Sequence, residues 1–103
     1  MKRGEIIVKH RIVIIEMSFH LNYAHSLKDK RQLKRRLVDS LKNLNVSVAE
    51  TQDQEIHQKL HLTLSYVAIS ESEAQKKLHS LREHVEKRLF DDVTMLSFNE
   101  EIL

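Results

Sequence analysis

From Val13 to Leu21 the odd positions are all apolar (Val13, Ile15, Met17, Phe19, Leu21), while Glu16, Ser18 and His20 stand between them. This period of two predicts a strand with one buried face. Ser26 and Asp29 then have the spacing of a capping box, in which side chains satisfy the free amides of a helix start. Leu33, Leu37, Leu41 and Leu44 fall within about 80° of one another at 100° per residue, so a first helix is predicted over 27–43. Val46 and Val48 alternate within 45–51, a short second strand, and Gln52-Asp53-Gln54-Glu55 interrupts it as a loop. Leu60, Leu62, Leu64, Tyr66 and Ala68 alternate with His61, Thr63 and Ser65 as a third strand. Ser70 and Glu73 repeat the capping spacing, and Ala74, Leu78, Leu81, Val85 and Leu89 form the stripe of a second helix reaching 89. Residues 93–98 alternate weakly and read as an edge strand.

The resulting order, βαββαβ, is that of two interleaved βαβ units, the ferredoxin-like α+β arrangement with a four-stranded antiparallel sheet and both helices on one face. The predicted strand order is 4-1-3-2. Leu33, Leu37, Leu41, Leu78, Leu81 and Val85 should pack beneath the odd side of the first strand. A chain of 103 residues suits one such domain, here 12–103, with 1–11 as an N-terminal extension or leader.

Composition narrows the function classes. There is no cysteine, which excludes disulfide scaffolds and thiol nucleophiles and fits a reducing cytosol. There is no proline and Gly4 is the only glycine, so the glycine-rich loops that cradle nucleotide phosphates are absent. The longest apolar run, Ile12 to Ile15, is far short of the roughly 18 residues of a membrane span. The basic opening lacks the apolar core of about 7 to 15 residues that a signal peptide needs. A cytoplasmic protein without membrane partner or small-molecule cofactor is expected.

The net charge is only +2, but Ser26 to Arg36 holds six basic residues against Asp29 alone, and 37–103 has a net of −5. On the helical wheel Lys28, Arg31, Arg35 and Lys42 lie within about 60° of one another, roughly opposite the leucines, as an exposed basic ridge. Such a ridge neutralises phosphates by displacing counterions. With Lys30, Lys34 and His25 these residues form the candidate RNA-binding set. The plainer alternative is a solvated helix face, against which stands the scarcity of acids within the segment, Asp29 and Asp39 only.

The other sheet face should carry Ile12, Ile14, Glu16, Ser18, His61, Thr63, Ser65, Val67 and Ile69. None is Phe, Tyr or Trp, which disfavours the base stacking by which RNA-recognition motifs of this topology work. Ile12, Ile14, Val67 and Ile69 leave apolar surface there, suited to a homodimer or to cover by residues 1–11.

Seven histidines raise the question of metal, with His57 and His61 or His20 and His25 as pairs, yet a site needs three or four ligands of compatible geometry and no metal is expected. Ser26 beside His25 is read as a cap rather than a nucleophile. Acylphosphatase-type enzymes share the topology, but Asn22-Tyr23-Ala24-His25 contains neither the glycine nor the arginine of their phosphate loop. A small hydrolase acting at the His25 loop is thus the minor alternative to a non-enzymatic binding protein. Glu50, Asp53 and Glu55 read as solvated loop acids.

The run Ala24-His25-Ser26-Leu27-Lys28-Asp29-Lys30-Arg31, followed by Asn45-Val46-Ser47-Val48-Ala49-Glu50 and Asp53-Gln54, resembles the YlxP-like family of small bacterial proteins, a domain of unknown function. The resemblance spans about 12–98. It implies a ferredoxin-like fold, a bacterial source and a gene often found among translation and ribosome-maturation genes, which is association and not mechanism; structured RNA or the ribosome is the partner expected of the basic ridge. It implies no activity. Asn22-Tyr23 replaces a common proline-glycine turn, His57 replaces a common tryptophan, and residues 1–11 precede the usual family start.

Overall fold

The computed structural model describes residues 9–89 and 93–103. The proposed leader thus lies, for residues 1–8, outside the described residues. The elements are β1 (Arg11–Leu21), α1 (Leu27–Lys42), β2 (Ser47–Gln52), β3 (Lys59–Ala68), α2 (Glu71–Lys87) and β4 (Val93–Ile102). The strands form one antiparallel sheet ordered β2-β3-β1-β4, the predicted order read from the other edge. The fold is the expected βαββαβ α+β arrangement.

The alternation along β1 and β3 separates the sheet into two chemistries. Val13, Ile15, Met17, Phe19 and Leu21 of β1 and Leu60, Leu62, Leu64 and Tyr66 of β3 are buried on one face, where Leu37 and Leu41 of α1 and Ala74, Leu78, Leu81 and Val85 of α2 join them in the core. Leu33 is only partly buried at its margin. Burying a side chain of this size is worth roughly 1.5 to 3 kcal/mol, so these stripes hold the helices to the sheet.

Both helices start as the spacing predicts. Ser26 Oγ accepts from the Asp29 amide at 3.1 Å and Ser70 Oγ from the Glu73 amide at 3.2 Å. The reciprocal half of the capping box differs: Asp29 Oδ2 accepts from the His25 amide at 3.0 Å, one residue before the cap, and Glu73 turns to Lys76 at 3.7 Å. Tyr66 ties β3 to α2 by donating its hydroxyl to the Ala74 carbonyl at 2.8 Å, with the Lys77 ammonium 4.9 Å from the ring centroid.

Two strands depart from their predicted bounds. β2 starts at Ser47 because Asn45 has a φ of 58°, the left-handed conformation that asparagine tolerates, and this turns the chain ahead of Val46. β4 runs to Ile102, beyond the predicted end. Its register against β1 slips between Ser18 and Phe19, whose partners are Ser97 and Met95, so Leu96 is an extra residue on β4. This bulge moves the core-facing positions from odd (Val93, Met95) to even (Phe98, Ile102), which is why the alternation looked weak.

Candidate nucleic-acid interface

Helix α1 presents three faces. Lys28, Arg31, Arg35 and Lys42 are all exposed, and none has an ion-pair partner among the described residues. Helix α2 behaves in the opposite way: Lys76 pairs with Glu73, His79 with Glu83 at 2.9 Å and Arg82 with Glu86 at 3.0 Å. The second helix thus pairs three of its side chains with glutamates one turn away, while the first leaves a row of cations facing outward. His25 is exposed at the start of this row, next to the cap.

Lys30 is not part of that row. Its side chain is 2% exposed, and its ammonium lies 2.7 Å from Glu50 Oε2 while donating to the carbonyls of Asp53 at 2.6 Å and Ile56 at 2.9 Å. The expected role in RNA binding is corrected accordingly: Lys30 is a structural cation that fastens α1 to β2 and to the β2–β3 loop. Position explains it, since Lys30 precedes Leu37 by two helical turns and sits about 20° from it on the wheel, inside the leucine stripe. That angle was available in the sequence. Lys34 is half-exposed and held at 3.2 Å to Glu50 Oε1, which places it beside the ridge and already paired.

Glu50 is likewise not a solvated loop acid. It belongs to β2, its side chain is 9% exposed, and it takes both lysines. The loop it helps to hold bends at Asp53, whose φ is 56°. A buried pair of this kind is costly to desolvate and is retained only where its remaining donors are met, as the loop carbonyls do here.

Along one flank of the ridge runs an open-sided cleft of about 560 Å³, between α1 and the loop after β1. Tyr23, Asp29, Gln32, Leu33, Arg35 and Arg36 line it, with the buried Ala24 beneath. Sequence patterning missed this cleft because it depends on where the β1–α1 loop sets Tyr23, which is 67% exposed.

On the opposite sheet face Ile12, Val67 and Ile69 are 42%, 68% and 79% exposed, and Ile12 is the cross-strand partner of Val67. Ile14 is half-buried beside them. The rest of that face is polar: the Thr51 and Thr63 hydroxyls are bonded at 2.7 Å, and Ser18 is bonded to Ser97.

His57 lies in the β2–β3 loop and His61 in β3, so their spacing does not bring them to one helix face. Among the described residues no group of three or more His, Cys, Asp or Glu side chains is arranged to hold a metal ion. Ser26 Oγ, as a cap, is engaged with a backbone amide. Among the described residues no helix is long and apolar enough to cross a membrane.

A two-layer α+β domain whose first helix carries an exposed row of cations, Lys28, Arg31, Arg35 and Lys42, is thus the class that fold and surface define. The chain belongs to the family described as protein of unknown function (DUF503), whose model matches residues 12–99. No curated protein matches it significantly. Among solved structures, the de novo designed protein Foldit4 is similar, with a TM-score of 0.56 at 12% identity, over 87% of this chain and 96% of that one. That likeness shows the fold alone, and folds of this kind host unrelated functions.

Proposed function

We propose that the protein is a YlxP-like bacterial member of its family that works in the cytoplasm as a non-enzymatic module docking on structured RNA or ribosomal particles through α1. The observation that supports this most is the contrast between the helices: Lys28, Arg31, Arg35 and Lys42 have no acidic partners among the described residues, while Lys76, His79 and Arg82 of α2 each face a glutamate of their own helix. Unpaired cations on one rigid face attract a phosphate backbone without reading its sequence. The test measures affinity for a paired RNA hairpin across a salt series. Replacing Lys28, Arg31 and Arg35 together with alanine should flatten the slope of log affinity against log salt by roughly 2 to 3, at about 0.7 to 0.9 per phosphate contact. An unchanged slope, or no salt-sensitive binding by the unaltered protein at about 50 mM salt, overturns the reading.

A second reading, a homodimer through the open sheet face, is favoured by the exposure of Ile12, Val67 and Ile69. Serine at Ile12 and Ile14 should then reduce a sedimenting dimer to monomer and leave the RNA salt slope unchanged. A monomer before substitution removes this reading.

A further inference from the structure

The cleft beside the ridge deepens the RNA reading, on which it rests. We propose that it receives the base of a single unpaired nucleotide, so that the protein docks where a helical RNA carries a bulged or looped-out residue. Four observations lead there. The cleft is continuous with the ridge, since Arg35 belongs to both. Its volume of about 560 Å³ is in the range of small-ligand sites. Its walls combine an exposed aromatic ring, Tyr23, with an apolar side chain, Leu33, and with the amide and carboxylate of Gln32 and Asp29. Arg35 has no ion-pair partner among the described residues, so its guanidinium is available to the phosphate next to the inserted base.

Each part matches a requirement of a nucleotide. A base splayed out of a stack has two apolar faces and a polar edge, and proteins hold such bases on aromatic rings while hydrogen-bonding their edges. Tyr23 supplies the ring. Gln32 both donates and accepts, and Asp29 retains acceptor capacity beyond the single bond its Oδ2 takes from the His25 amide. A duplex on the ridge has no base to offer, because its bases are stacked inside. The cleft therefore converts a backbone contact that any paired RNA can make into a preference for one structural irregularity. The open sheet face, where the topology's familiar stacking residues would stand, has no Phe, Tyr or Trp among Ser18, Glu16, His61 and Thr63.

Three RNAs of equal length test this: a fully paired hairpin, the same hairpin with one bulged nucleotide, and the same bulge made abasic. The bulged RNA should bind about fivefold or more tightly than either of the others, the worth of one base–aromatic stack. Tyr23→Ala should abolish that difference while leaving the salt slope intact, and Tyr23→Phe should keep it. Equal binding of all three RNAs with a steep salt slope overturns the cleft proposal and leaves the ridge reading standing. A preference shared equally by the abasic bulge attributes the effect to backbone flexibility and also overturns it. Absence of salt-sensitive binding to any of the three overturns both.

Discussion

Lys30 of α1 and Glu50 of β2 form an ion pair of 2.7 Å in which the lysine is almost wholly inaccessible to water. The remaining protons of the ammonium go to loop carbonyls, so one side chain joins a helix, a strand and the turn that follows the strand. The cations that remain exposed on α1 are thus carried by a helix locked at its first turn.

Lys30→Ala should destabilise the protein by about 3 to 5 kcal/mol, since it leaves a buried carboxylate short of its main partner and loop carbonyls without a donor. Lys28→Ala and Arg31→Ala, on the exposed row, should each shift stability by no more than about 0.5 kcal/mol. Urea unfolding midpoints of the three variants make the comparison, and a Lys30 variant as stable as the other two would show that the pair holds nothing.

Leu37→Ala should cost about 2 to 5 kcal/mol, as removal of a buried side chain leaves a cavity. Leu33→Ala should cost clearly less, because Leu33 is partly exposed at the edge of the cleft. Chemical denaturation of the two variants side by side checks the order.

His84 of α2 contacts Ser40 of α1 at 3.2 Å, and the Ser40 hydroxyl donates to the Leu37 carbonyl, so the serine oxygen accepts from a protonated Nε2. Burial first, and then the Arg88 charge, hold the imidazole below its ordinary 6.5 despite that bond. With the folded value depressed, the unfolded chain takes up the proton first. The contribution of His84 is therefore present above about pH 6.5 and lost as pH falls through the folded value. Melting temperatures at pH 7.5 and pH 5 should differ more for the unaltered protein than for His84→Gln, and equal differences would refute the linkage.

Burial raises the Tyr66 phenol above its ordinary 10.0. Here the sign is reversed, because the folded state keeps its proton longer than the unfolded one. The stabilisation is complete below about pH 10 and disappears as pH rises through the folded value. Tyr66→Phe should cost about 0.5 to 1.5 kcal/mol at neutral pH through loss of the bond to Ala74, and should remove this alkaline component. Unfolding curves at neutral pH and near pH 11 read both effects.

The strands, helices and sheet order were legible because β1, β3 and the two helices each carry one uninterrupted period, with Ser26 and Ser70 marking the helix starts. β4 was legible only in part, since the extra Leu96 shifts its parity midway and a pattern count averages the two halves. The site divided along similar lines. Lys28, Arg31, Arg35 and Lys42 can be placed on a solvent face by wheel angle alone. Lys30 was grouped with them by charge, although its angle put it among the leucines, and charge composition carries no direction. The roles of Glu50 and Tyr23 depend on contacts across the β2–β3 loop and the β1–α1 loop, and no local period encodes those.

The bulge on β4 also bears on how the molecule avoids its own kind. β4 is an outer strand, and a straight outer strand offers unpaired amides and carbonyls on which another chain can template and aggregate. Leu96 breaks that straightness midway and leaves its side chain 64% exposed, and Glu100 and Glu101 follow with like charges that a second β4 would have to face. The opposite edge, β2, is only 6 residues long. The same insertion that obscured the strand in the sequence thus interrupts the row of edge amides and carbonyls on which a further strand would pair.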